Sequence, residues 1–107
     1  MAGEYYMYII QSNNDWFYTG ITNNPERRFK EHKGGYGSKF LKARGFKDVL
    51  FVIKVENRSI ATKLEIRLKH LNRRGKIKFM HENNDKNLIF TCFKRLCKEL
   101  RGSGISI

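Results

Sequence analysis

The sequence predicts one α+β domain: a small three-stranded sheet, mixed or antiparallel, flanked by helices in the order β-β-α-β-α, with a further helix at the C-terminus. Three observations lead there. Two β-prone runs, "YYMYII" (5–10) and "WFYTG" (16–20), are separated by the turn-rich "QSNND". A third, "VLFVIKV" (49–55), stands between two helical patterns. The chain has 107 residues, enough for one modest core and too few for two.

The elements follow in order. "YYMYII" is apolar on both alternating faces, as suits a central strand covered on both sides. It makes a hairpin with "WFYTG". Asn24 is an N-cap with Pro25 at the first helical position, so a helix is expected from Pro25 to about Lys33, stopping at Gly34. "GGYGSKF" reads as a flexible connection with a possible short turn after it. After the third strand, Ser59 is expected to cap a helix whose apolar stripe is Ile60, Leu64, Leu68 and Leu71, ending near Arg74 with Gly75 as its stop. "KIKFMHENND" fits an edge strand or a loop. "KNLIFTCFKRLCKEL" places Ile89, Phe93, Leu96, Cys97 and Leu100 on one face of a last helix. The expected organisation is a domain over residues 1–80 and a helical extension over 81–107, packed on the same domain. Cys92 and Cys97 would lie about 140° apart on that helix, poor geometry for a disulfide or a shared metal.

Composition narrows the function. The N-terminus has no signal-peptide pattern and no apolar run approaches membrane-spanning length, so a cytoplasmic protein without membrane contact is expected, with a monomer favoured. Net charge is +12, from 22 Lys and Arg against 10 Asp and Glu. The basic residues are concentrated. Residues 1–26 hold none, whereas 27–78 hold 17 against four acids, a net +13. A field of that density suits a polyanion, because each phosphate contact releases condensed counterions. Nucleic acid is the expected partner, ahead of the bland reading of a solvated basic surface. Arg27, Lys30, Lys39, Lys42, Arg44, Lys69, Arg73 and Arg74 are the candidate contacts.

A strand ending in "MYI", a second bearing "YTG" ten residues on, then Arg-x-x-x-His at 28 and 32, then a helix with one glutamate at 65, resembles the GIY-YIG nuclease superfamily. Tyr6-Met7-Tyr8 and Tyr18-Thr19-Gly20 stand at its two motifs. "YTGITNNPERRFKEH", "GGYGSKFLKAR" and "ATKLEIRLKHLNRRGK" are similar to its small single-domain bacterial branch, related to the nuclease domain of the excision-repair incision subunit. The resemblance covers roughly residues 4–76 and implies a metal-dependent endonuclease acting on DNA, possibly structure-specific or repair-related.

It also implies roles. Tyr8 would act as general base on water, although a phenol with the usual pKa of about 10 is a poor one, and Arg28 is the natural cationic helper. Tyr18 would orient water or substrate. Arg28 would present its donor fork to the phosphate. His32 lies one turn on, on the same helix face. Glu65 would hold Mg²⁺ or Mn²⁺, which one carboxylate can do when the ion keeps most of its waters.

Bland readings stand beside these. Tyr8 and Tyr18 fit core or cross-strand aromatics, Arg28 and His32 a solvated helix face, and Glu65 a simple pair with Lys69. The first motif reads Tyr-Met-Tyr, not Gly-Ile-Tyr, Leu41 stands where the small branch is expected to have threonine, and the resemblance is expected to stop at Lys76. Asn72 and Asn83 fall in no motif. Alternative functions are a non-catalytic DNA- or RNA-binding module that keeps the fold, and a protein-interaction adaptor using the C-terminal helix.

Overall fold

The computed structural model describes residues 4–88. Its elements are β1 (Tyr5–Ser12), β2 (Phe17–Thr22), α1 (Pro25–Lys33), α2 (Lys39–Arg44), β3 (Phe46–Val55), α3 (Arg58–Lys69), α4 (Arg73–Glu82) and a 3₁₀ turn, Asn84–Lys86. The expected C-terminal helix lies outside the described residues.

The sheet is antiparallel throughout, in the order β2-β1-β3. β1 is therefore the central strand that its two apolar faces predict, and Met7, Tyr8, Ile9 and Ile10 are all fully buried. Alternation sorts them onto two cores. Tyr8 and Ile10 pack with Phe29 of α1, Leu41 of α2, and Val49 and Val52 of β3. Met7 and Ile9 pack on the other face with Phe51, Ile53 and Leu68. Leu41, which departs from the branch's threonine, is thus part of the wall around Tyr8.

Val49 and Val52 are three residues apart yet share a face. A bulge explains it: Ile9 pairs with Phe51 and Ile10 with Val49, so Leu50 is the extra residue. β3 is an edge strand, and a bulge there leaves backbone groups in need of partners. Asn87 supplies them. Its Nδ2 donates to the Leu50 carbonyl at 3.1 Å and its Oδ1 accepts from the Val52 N–H at 3.0 Å.

α1 starts and stops where the sequence predicts, with Asn24 Oδ1 accepting from Arg27 N at 3.1 Å and Gly34 as the C-cap. "SKFLKAR" forms the short helix α2, its first turn held by Ser38 Oγ. The next region differs from expectation. Asn57, not Ser59, caps α3, and the stripe is rotated so that Ala61 is buried while Ile60 is 39% exposed. The helix ends at Lys69 rather than near Arg74. Asn72 then caps a new helix by accepting from Gly75 N at 2.8 Å. Gly75 therefore sits in a first turn instead of marking a stop, and most of "KIKFMHENND" is helical, neither strand nor loop. Packing against the second core holds it there: the partly buried Phe79 meets Phe51 edge-on at 5.5 Å. Among the described residues, no helix is long and apolar enough to cross a membrane.

Candidate active site

The site is built around Tyr8, on the strand that the fold buries most deeply. Tyr8 pairs with Gly20 across the β1–β2 ladder. The phenol lies directly over that glycine, where a Cβ would stand only 2.5 Å from Tyr8 Oη and 2.6 Å from Cζ. Glycine is needed there for the close approach of a ring. Substituting Gly20→Ala forces the ring aside in a packed core. We expect a loss of about 1–3 kcal/mol in urea unfolding, together with a drop in any activity that needs Tyr8 in place.

α1 supplies the next two groups. Four residues separate Arg28 from His32, so both project from one helix face toward β1. His32 is 1% exposed, and its Nε2 lies 2.9 Å from Tyr8 Oη. The bland reading of a solvated helix face does not hold for this histidine. Its other nitrogen, Nδ1, is buried with no partner among the described residues. It faces Gly37, where a Cβ would come within 2.4 Å. Arg28 donates to Glu31 Oε1 at 3.0 Å and to the Gly37 carbonyl at 2.9 Å. Gly37 thus makes room for His32 and anchors Arg28, a positioning role with no local signal in "GGYGSKF".

Tyr18 comes from β2 and is half-buried. Its ring centroid is 6.3 Å from that of Tyr8 and 5.5 Å from that of His32. Glu65 lies on α3, which packs against β2 and β1 and whose Leu68 belongs to the core on the sheet face away from Tyr8. The Glu65 side chain is 20% exposed, and Oε2 pairs with Lys69 Nζ at 3.3 Å.

Electrostatics follow from burial. Loss of water is the main force on Tyr8 and pushes its pKa up to about 12. The neighbouring Arg28 guanidinium pulls it down, while the charges of Tyr18 and Glu65 push it up. Arg28 is thus the cationic neighbour that the sequence suggests, but burial outweighs it. Burial also dominates at His32, with help from the Arg28 charge and opposition from Glu31, and lowers its pKa to about 4. At neutral pH the pair is a protonated phenol and a neutral imidazole.

That has a consequence for stability. The folded-state pKa of His32 is below the unfolded value of about 6.5. The unfolded chain therefore binds the extra proton between pH 6.5 and 4. Stability is present above 6.5 and is lost as pH falls through that window, by up to about 3 kcal/mol. Urea unfolding of wild type and His32→Gln at pH 7.5 and 4.5 should show a smaller acid loss in the variant.

The basic candidates are placed as follows. Arg27, Lys30, Lys39, Lys42, Lys69 and Arg74 are exposed, Arg27 lying 3.9 Å from Glu31. Arg44 is half-buried against Trp16 and Phe40. Arg73 donates to the Asp15 carbonyl, and its guanidinium lies 4.3 Å from the Phe17 ring centre, on the sheet face away from Tyr8. Those contacts tie α4 to the β1–β2 turn.

The chain belongs to the GIY-YIG family: the model of the GIY-YIG catalytic domain matches residues 4–91, so the family pattern runs past Lys76, the expected end of the resemblance. Among its relatives, a UPF0213 protein of Citrobacter koseri is 37% identical over 78 residues, covering 73% of this chain and 78% of that protein. The UPF0213 protein YhbQ of Escherichia coli is similar to the same extent, 37% over 78 residues with the same coverage. The solution structure of the UPF0213 protein BH0048 from Bacillus halodurans is 32% identical, covers 73% of this chain and 83% of that one, and superposes with a TM-score of 0.49.

Proposed function

We propose that the chain is a metal-dependent endonuclease that hydrolyses phosphodiester bonds in DNA. The observation that carries this reading is the buried hydrogen bond between Tyr8 and His32, with Arg28 beside it and the charge of Glu65 within reach of the phenol. Taken with membership of a catalytic-domain family, it is a set of groups able to move a proton next to a cation that binds phosphate.

The residues divide the work. Tyr8 is protonated at neutral pH, so it acts as a base only by passing its own proton on. As a water oxygen attacks phosphorus and the bond to the leaving sugar oxygen breaks, the water proton moves to Tyr8 Oη, the phenolic proton moves to His32 Nε2, and the leaving alkoxide takes a proton from solvent. This requires the imidazole tautomer with its hydrogen on Nδ1. Arg28 holds the phosphate oxygens as charge builds on them. Because Tyr8 is enclosed, water reaches it only when a half-buried neighbour, Tyr18 or Arg28, gives way. Capture of a phosphate by Arg28 is the natural trigger.

Glu65 is the residue that would hold the metal. Among the described residues no three His, Cys, Asp or Glu side chains cluster as a metal cage. One half-buried carboxylate with an oxygen not taken by Lys69 suits a largely hydrated Mg²⁺ or Mn²⁺, not a structural zinc. When bound, such an ion supplies Lewis-acid stabilisation of the phosphate.

The test is cleavage of nicked, branched, single-stranded and duplex DNA with Mg²⁺, with Mn²⁺ and with EDTA. Cutting that stops in EDTA and returns with added metal is expected. Salt-sensitive binding with no cleavage under any of these conditions would replace the enzyme with a nucleic-acid-binding module.

A further inference from the structure

Trp16, the only tryptophan of the chain, is 55% exposed at the β1–β2 turn. A large aromatic at the surface needs a reason, and its neighbours suggest one. The Arg44 guanidinium carbon lies 4.8 Å from the Trp16 ring centre and 4.8 Å from that of Phe40. The two rings are 6.4 Å apart, so Arg44 lies across both at once. Phe40 stacks on Tyr18 at 5.7 Å and 28°. Tyr18 in turn touches His32 and Tyr8. A continuous series of planar groups therefore runs from the solvent-exposed indole to the proposed catalytic pair.

Its composition is specific. Arg44 Nε is buried with no hydrogen-bond partner among the described residues. Among the described residues, the contacts of this guanidinium are the two ring faces. Lys39 and Lys42, on the same helix as Phe40 and Arg44, are exposed. Aromatic and guanidinium planes flanked by cations are what single nucleic-acid strands bind, because every base offers a face for stacking. A base inside an intact duplex has both faces occupied by its neighbours.

We propose that Trp16, Arg44 and Phe40 form a stacking platform for one unpaired nucleobase, which seats a single-stranded or flapped strand with its phosphate toward Arg28. The proposal rests on the nuclease reading and names its substrate class.

Trp16 reports on the platform directly, since its emission is the only indole signal. The full chain is titrated in EDTA, where cleavage is blocked, with labelled oligothymidylate, an abasic oligomer of equal length and a blunt duplex. Label anisotropy reads binding and indole emission reads stacking. Oligothymidylate should quench the emission, whereas the abasic and duplex probes should bind through charge and leave it unchanged. Trp16→Ala should weaken oligothymidylate binding by about 5- to 150-fold, the worth of one stacked base. It should leave duplex binding unaltered, and Trp16→Phe should restore most of the loss. Equal quenching by all three probes, or an equal loss of single-strand and duplex affinity in Trp16→Ala, overturns the platform while metal-dependent cutting still supports the nuclease. Failure of every probe to bind overturns both.

Discussion

Tyr8→Phe should cut DNA about 10²- to 10⁴-fold more slowly than wild type, the usual worth of a positioned proton-transfer group. The substitution is well suited to the question because the ring stays. It still packs over Gly20 and meets Phe29 edge-on at 5.3 Å. Only the hydroxyl goes, and with it the partner of His32 Nε2. An unpaired buried imidazole nitrogen costs about 1–3 kcal/mol, so the variant should fold with a modestly lower urea midpoint. DNA affinity should not change, since Tyr8 is enclosed and the exposed cations are untouched. The two rates are compared under single-turnover conditions, with circular dichroism as the control for folding.

Glu65→Ala should lose more. In this account Glu65 is the protein's one carboxylate for the metal, so its removal takes away the means of holding the ion near the phosphate. A reduction of at least about 10³-fold is expected, beyond the 10² to 10³ seen when one donor to a developing charge is removed. Stability should change little, because the ion pair with Lys69 is partly solvated and such pairs contribute at most about 1 kcal/mol. Binding should hold or tighten slightly, as removal of a negative charge next to a phosphate site favours the anion. Excess Mn²⁺ should not rescue the variant.

Much of the candidate site is legible in the chain. Tyr8, Tyr18, Arg28 and Glu65 come from four separate elements, yet their order and motifs single them out before any fold is known. The central position of β1 is equally legible, because only a strand covered on both sides is apolar at consecutive positions. His32 is harder. Its i+4 spacing from Arg28 gives the helix face but not the burial, and burial is what makes it the partner of Tyr8 and not a solvated side chain. Gly37 is invisible locally, since its role depends on the α1–α2 connection folding back over His32. The break between α3 and α4 misleads for a physical reason. Gly75 ends many helices, but here the Asn72 side chain bonds to its N–H and starts a new one. "KIKF" has a strand-like composition, and only the contact of Phe79 with the second core decides for helix.

The central claim is that this buried constellation cleaves phosphodiester bonds. It is tested most directly by single-turnover cleavage of end-labelled DNA in Mg²⁺ at saturating protein, for wild type, Tyr8→Phe and Glu65→Ala, with affinity measured on the same DNA in EDTA. The account predicts that all three proteins bind alike, that wild type cuts, and that both variants fall by at least about two orders of magnitude. Cutting by either variant at the wild-type rate, or no cutting by wild type in either Mg²⁺ or Mn²⁺, would contradict it.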